Sequence, residues 1–592
     1  MESFSSSFLK KYTPTTPSLT LPSQLLRLKI QSVQIDEIPT TTRFPNPPKL
    51  APFHDRTQPR TSKVQKSLRS IVFSSLDQFI CKFMDPPLRA SIDPKHVLSG
   101  NFSPVEELPP TACEVVEGTL PPCLDGAYIR NGPNPQFIPG GPYHLFDGDG
   151  MLHSIRIRDG EATFCSRFIK TYKYEIEREI GSPVILNVFS AFNGLAASIA
   201  RCAVTFGRVL AGEYDPRNGI GTANTSLALF DGNLFALGES DLPYRIEITP
   251  DGDIITLGRQ ESLGAPFTTM TAHPKIDPET GEAFAFRQGI TFMPPFLTYF
   301  KINERGEKQA EVPIFSLREP SLIHDFAVSK KYAIFPDTQI VMNPKNILKG
   351  MPAIGVDPKK VPRLGIIPRD AVDESEICWV ETPGYNMVHA VNAWDESGGG
   401  GGGEETVVMV APNVLSVEHM LDRMDLIHAS LEIVEINLKE KMVKGRALSN
   451  SNLDFAVINP AYIGKKNRYI YAAIGAPMPK LSGVVKIDIS LSTGDSNNCT
   501  VASRVYGHNC YGGEAIFVPR DPNNPTTEED DGYLVTYVHN EMTGESNFIV
   551  MDAKSPTLEI VAVVKLPRRV PYGFHGMFVR ECDLKNCNLN PN

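Results

Sequence analysis

From about Ala112 to the C-terminus, short runs of β-type residues recur, broken by tight-turn residues. "HSIRIRDGEATFCSR", "TSLALFDGNLFALGES" and "YRIEITPDGDIITLG" each place Asp-Gly between two such runs, the signature of a hairpin. "VVMVAP", "LEIVEINL", "RYIYAAIG", "GVVKIDISLSTG", "DGYLVTYVHN" and "NFIVMDAKSPTLEIVAVVKLP" carry the same rhythm onward. The pattern predicts an antiparallel all-β fold: propeller, large barrel or sandwich. A propeller suits the length best, although no strict repeat of the WD40 kind is present. The run Gly398–Gly403 reads as a hairpin tip that tolerates insertion.

Two stretches depart from this rhythm. "SLRSIVFSSLDQFICKFMD" (67–85) sets Leu68, Ile71, Val72, Leu76, Phe79, Ile80 and Phe83 at helical spacing, and Pro86-Pro87 stops the helix. "NVFSAFNGLAASIARCAVTFGRVL" (187–210) does the same with Val188, Phe192, Leu195, Ile199, Phe206 and Leu210. It holds no acidic residue and carries Arg201 and Arg208. An apolar stripe with basic residues fits an in-plane membrane helix; an amphipathic helix lying on the β core fits equally.

The composition is that of a globular protein with ample core: 592 residues, 41% hydrophobic and 21% charged. A net charge of -10 argues against a nucleic-acid partner. No apolar run is long enough to predict a transmembrane helix. The 10 cysteines contain no C-x-x-C pair, which gives no support to zinc-ribbon or thioredoxin chemistry and reads as reduced thiols.

Residues 1–72 differ from the rest. They hold four acidic residues, 11 Lys/Arg and 19 Ser/Thr, whereas the remainder holds 64 acidic and 47 basic residues. A basic, hydroxyl-rich, acid-poor start on an acidic body reads as an organelle transit peptide, plausibly plastid, with an untargeted disordered tail as the alternative. The expected organisation is a transit or disordered segment over 1–60 and a helical extension over 61–111. The β body then runs over 112–592 with a helical insertion around 187–212.

Four histidines sit in β-type or turn sequence: His273 in "TAHPKID", His324 in "SLIHDFAVS", His389 in "NMVHAVNAW" and His575 in "YGFHGMF". No H-E-x-x-H helix exists. Residues so far apart meet only if several strands point at a common axis, as in a propeller. For each alone the ordinary reading is a satisfied core or surface histidine. The other eight (His54, His96, His144, His153, His419, His428, His508, His539) look no different by composition. "FDGDGMLH" carries Asp147 and Asp149 but lacks the later ligands of a calcium loop, and reads as a structural turn.

"YIRNGPNPQF", "YHLFDGDGMLH", "TAHPKIDPETGEAFAF", "IHDFAVSKKYAIFPD", "VHAVNAWDE", "INPAYIGKKNRYIYAAIG" and "PYGFHGMFV", in this order, resemble the carotenoid cleavage dioxygenase family. Their wording is most similar to its plastid subfamily four. The resemblance implies a seven-bladed β-propeller with a helical and loop dome over a substrate tunnel. It implies one non-haem Fe(II) held by His273, His324, His389 and His575, with O2 as co-substrate. It implies carboxylates that orient the ligands: Glu239 for His324, Asp454 for His389, Glu514 for His575, and none for His273. Position 454 is Asp where the family commonly has Glu, so its hydrogen bond is expected to be longer, water-bridged or displaced.

The implied activity is oxidative cleavage of a conjugated C=C bond of a carotenoid or apocarotenoid, at the 9,10 and 9′,10′ bonds, giving aldehyde or ketone products. The implied setting is the plastid, peripheral on a membrane or plastoglobule through helices 67–85 and 187–210. Two alternatives stay open: an inactive carotenoid-binding protein of plastid lipid globules, and a non-oxygenating metal isomerase or hydrolase on the same scaffold.

Overall fold

A computed structural model of the chain describes residues 67–288, 293–349, 352–397, 405–493, 498–524 and 526–589. The expected transit segment and the glycine run Gly398–Gly403 lie outside the described residues.

Grouped by pairing, the strands form consecutive four-stranded antiparallel meanders. The first comprises Gly126–Pro133, Gly150–Arg158 and Glu161–Phe168, with the late strand Gly576–Arg580 paired to Gly126–Pro133. Next come Ser226–Phe230 through Ile254–Arg259, Lys275–Ile276 through Val312–Ile314, and Ala327–Val328 through Cys378–Glu381. The last three are Asn392–Ser397 through Met442–Ala447, Leu453–Val457 through Thr500–Val505, and Ile516–Pro519 through Ile560–Lys565. The strand Leu108–Gly118 joins the outer edges of the first and last, pairing with Glu161–Phe168 on one side and Ile560–Lys565 on the other.

Two of the three Asp-Gly pairs form the two-residue turns they predict, while Asp251-Gly252 sits in a longer turn in which the Thr249 amide donates to the Asp253 carbonyl. Asp159 and Asp231 take φ of 53° and 51°, followed by Gly160 and Gly232 at 80° and 60°, the left-handed pair a two-residue hairpin turn needs.

Each sheet buries both faces against its neighbours. Ala283 and Ala285 pack toward Phe235 and Leu237 of the preceding meander, while Phe284 and Phe286 pack toward Phe326 and Phe335 of the next. The same holds at the closure, where Tyr128 and Phe164 of the first meander pack on Tyr537 and Phe548 of the last. Burial on both faces explains why strands such as "VVMVAP" are continuously apolar rather than alternating. The architecture is that of a β-propeller, closed by the pairing of Gly576–Arg580 with Gly126–Pro133.

Helices cover one part of this body. Helix α1 is Leu68–Phe79, capped by Ser67 and continued by a π-turn over Ile80–Met84 that ends before the two prolines. Helix α2 is Tyr172–Ile180, and its Lys173 is buried between Asp149 (3.0 Å) and Glu177 (2.8 Å). Asp147 accepts hydrogen bonds from the Phe189 and His144 amides. Both acids of "FDGDGMLH" are thus spent within the fold as a structural turn.

Helix α3 is Leu195–Leu210, shorter than the 187–210 expected. Val188 and Phe192 fit the helical period, but residues 187–194 are turns held from outside by the Asp147 carboxylate and by Ser190 bonding to the Pro142 carbonyl. Gly194 starts the helix at φ 81°, pressed so closely on Pro86 that a Cβ would lie 2.9 Å from its ring.

The arginines of α3 are not at an outer surface. Arg201 is buried and bonded to both oxygens of Asp85; Arg208 is buried and pairs with Asp77 and with Glu213 (2.6 Å). The amphipathic sense is therefore inverted, with the charged face turned in and the apolar face out. Leu195, Ile199, Phe206 and Leu210 are exposed on α3, beside Leu68, Ile71, Val72, Leu76, Phe79 and Phe83 of the α1 segment. Among the described residues no helix is long and apolar enough to cross a membrane.

Arg201→Met should leave the Asp85 carboxylate buried without its partner. A loss of about 3–5 kcal/mol is expected, the cost of removing one member of a buried pair. Amide hydrogen exchange of α1 and α3 would show it as early local opening.

Candidate metal centre

Each of the four histidines lies just before an edge strand of its meander. His273 precedes Lys275–Ile276, His324 precedes Ala327–Val328, His389 precedes Asn392–Ser397, and His575 precedes Gly576–Arg580. These strand mouths converge. One ligand atom from each of the four rings lies within 4.8 Å of the others. Ring centroids stand 4.5 Å apart for His273–His324, 4.6 Å for His273–His575 and 5.0 Å for His389–His575.

Three of the rings are oriented from behind. His324 Nδ1 lies 2.5 Å from Glu239, His389 Nδ1 2.8 Å from Asp454, and His575 Nδ1 3.1 Å from Glu514. Each carboxylate fixes the proton on Nδ1 and leaves the Nε2 lone pair facing the centre. Glu514 also accepts from the Gly576 amide at 2.9 Å, so it grips both His575 and the residue after it. Among the described residues no carboxylate partner stands behind His273; its amide donates to Thr271 Oγ1 at 3.0 Å.

Asp454 reaches His389 directly, against the longer or bridged bond expected of a shorter side chain. Its strand has a register shift between Asp454 and Val457, and Phe455 takes φ 48°. The same carboxylate oxygen accepts the Phe455 amide at 2.7 Å. At this distortion the Asp454 carboxylate is aimed directly at His389. It also lays the Phe455 ring 5.2 Å from His389 and 5.3 Å from His575, closing one side of the site. Sequence reasoning missed Phe455; its only signal was adjacency to Asp454.

The electrostatics favour a neutral His273 and ionised Glu239 and Asp454, while the facing Asp454 carboxylate outweighs burial and holds His389 above the usual histidine range. Burial and the neighbouring imidazoles push His273 well below the usual histidine range. Burial alone would raise Glu239 and Asp454, but the facing His324 and His389 outweigh it and hold both below their ordinary values. The His324 side chain is 24% exposed and that of Glu239 34%, so both face open space rather than packed protein.

The set fits a divalent transition metal. Four imidazoles, three of them with the tautomer fixed by a carboxylate, suit iron, copper, nickel or zinc. Two such nitrogens bound at about 2.1 Å and at a right angle would stand about 3.0 Å apart; His273 Nε2 and His324 Nε2 are 3.0 Å apart. Glu514→Gln should raise the metal dissociation constant roughly 10–100-fold by removing an orienting carboxylate. Metal titration of the apoprotein would measure it.

Comparison with known proteins agrees with this geometry. The family described as retinal pigment epithelial membrane protein, RPE65, matches residues 101–580. The chain is 56% identical over 547 residues to the probable carotenoid cleavage dioxygenase 4, chloroplastic, of Arabidopsis thaliana, covering 92% of this chain and 88% of the relative. It is 52% identical to the 9-cis-epoxycarotenoid dioxygenase NCED1, chloroplastic, of Oryza sativa subsp. japonica, covering 88% and 81%. The solved structure of cobalt-substituted Synechocystis ACO superposes with a TM-score of 0.66 at 26% identity, covering 83% of this chain and all of that one.

Proposed function

The chain belongs to the RPE65 family of carotenoid oxygenases, and from that premise we propose that it is an iron(II)-dependent dioxygenase that splits a conjugated C=C bond of a carotenoid or apocarotenoid. The carrying observation is the convergence of His273, His324, His389 and His575 from four separate strand mouths onto one point. These four would hold one iron per chain, with Glu239, Asp454 and Glu514 orienting three of them. Taking each four-stranded meander as one blade supports the seven-bladed reading.

Iron(II), when bound, supplies the activation of dioxygen that cleaves the double bond. The chain supplies position and shelter. Four neutral ligands leave the ion its full charge, and the cavity wall at Phe455 presents an apolar face to a polyene. Where the wall halts the polyene decides which bond is placed for cleavage. We assign the 9,10 and 9′,10′ bonds from the family resemblance. The products are then two carbonyl compounds.

A water-insoluble substrate also accounts for the outward apolar face of α1 and α3. These helices would sit in the interface of a plastid membrane or plastoglobule and admit substrate without exposing it to water. The chloroplastic names of the relatives support the plastid. The carotenoid-binding alternative rested on Asp454, and its direct bond to His389 removes that motive.

The test is turnover with Fe(II) under ¹⁸O₂, with β-carotene and an apocarotenal in detergent. Labelled aldehydes or ketones of the mass expected for 9,10 cleavage support the reading. Products of another mass reassign the bond. Iron uptake with product carrying no ¹⁸O₂ label favours the isomerase or hydrolase.

A further inference from the structure

We propose that Asp325 is a positioning residue that locks three of the four histidine segments into one rigid unit, with Lys275 as its counter-charge; this rests on the metal reading above. Asp325 follows His324 directly and is buried. Its Oδ2 accepts the amide of Ala390, the residue after His389, at 2.7 Å. Its Oδ1 accepts the ammonium of Lys275, two residues beyond His273, at 2.7 Å. The same oxygen accepts the Phe326 amide, also at 2.7 Å, which fixes the carboxylate against its own strand. One buried carboxylate thus touches the chain within two residues of His273, His324 and His389.

The arrangement answers a geometric problem. The three segments come from three different meanders, and adjacent meanders meet mainly through apolar packing. Apolar contacts resist separation but tolerate small sliding. A metal site loosens when its ligands slide by an ångström. A charge-assisted bond between segments is directional, and a desolvated one more so. Lys275 also comes within 3.5 Å of the Ala390 carbonyl, so the clamp closes as a triangle. His273 gains most from this, since it lacks an orienting carboxylate among the described residues. His575, held separately by Glu514, lies outside the clamp.

The role predicts a specific failure. Asn in place of Asp325 keeps the shape but cannot offer two charged acceptors to three donors, so the segments regain freedom. The full chain would be prepared as wild type, Asp325→Asn, Lys275→Met and Lys275→Arg, and each titrated with Co(II) and Fe(II). Apoprotein melting and the visible Co(II) ligand-field spectrum would be recorded alongside. The expected result is a roughly 10–100-fold weaker metal constant in Asp325→Asn and Lys275→Met, with altered Co(II) band positions or intensities. Lys275→Arg, which restores the charge, should recover most of the affinity.

A variant that melts earlier yet binds metal at wild-type strength with an unchanged spectrum overturns the proposal and leaves Asp325 as ordinary scaffold. Should Asp325→Asn fail to fold, the Lys275 pair decides the matter alone. Wild type that binds neither metal sinks the metal reading itself, a failure distinguishable from that of the clamp.

Discussion

Replacing His324 with alanine is expected to abolish stoichiometric iron binding and reduce carotenoid cleavage to the metal-free background. The loss should exceed the roughly 10–100-fold that removal of an orienting carboxylate costs, because a ligand and its charge partner fail together. The ring stands between Glu239 at 2.5 Å and the His273 nitrogen at 3.0 Å. Its removal leaves three imidazoles and the partly open Glu239 carboxylate facing the vacated position. Solvent reaching that carboxylate keeps the cost below the about 1–3 kcal/mol of a fully buried acceptor without its partner, so the variant should fold. Iron content by elemental analysis, product mass and circular dichroism would be read on one preparation. Full iron occupancy with unchanged turnover would refute the assignment of His324.

The second large effect concerns the outward apolar face. Phe83, Phe206 and Leu210 are 65%, 64% and 71% exposed, on a helix pair whose Arg201 and Arg208 are turned inward and paired. Burying such side chains in lipid is worth about 1.5–3 kcal/mol each. Changing all three to serine should weaken binding to plastid-lipid vesicles by on the order of 1,000-fold or more. The melting temperature should hardly move, since these residues make little of the core. Flotation assays would report the binding. Cleavage of detergent-solubilised substrate should persist while cleavage of vesicle-embedded substrate falls. Unchanged flotation would place the docking surface elsewhere.

What was legible in the sequence follows from how local each cause is. The Asp159-Gly160 and Asp231-Gly232 hairpins were readable because the turn itself demands φ above zero at both positions. The all-β reading followed from runs that both-face burial makes continuously apolar. The histidines were another matter. His273, His324, His389 and His575 are joined by topology, which spacing does not encode, and only the resemblance of their surrounding motifs separated them from the other eight.

The misread parts involve distant partners. Arg201 and Arg208 read as basic residues beside an apolar stripe because two of their acids, Asp85 and Asp77, lie more than a hundred residues upstream; only Glu213, which also pairs with Arg208, is local. Helix α3 was drawn too long because Val188 and Phe192 keep the helical period, whereas the Asp147 carboxylate claims the Phe189 amide. The Asp454 bond was expected to stretch because side-chain length was legible and the backbone shift at Phe455 was not. Asp325 was visible beside His324, but its second partner is an amide 65 residues away.

Ring closure sets an order of events during synthesis. The strand Gly576–Arg580 must pair with Gly126–Pro133, and His575 stands immediately before it. While the ribosome is still adding the last meander, the nascent chain can present at most three of the four imidazoles, in an open ring. The site is therefore completed only once the strand after the last meander has been made and has paired with the first. A polypeptide cut before His575 would keep nearly all of its sheets but carry an unpaired edge along Gly126–Pro133 and an incomplete binding site, and an open edge of that kind invites pairing with other chains.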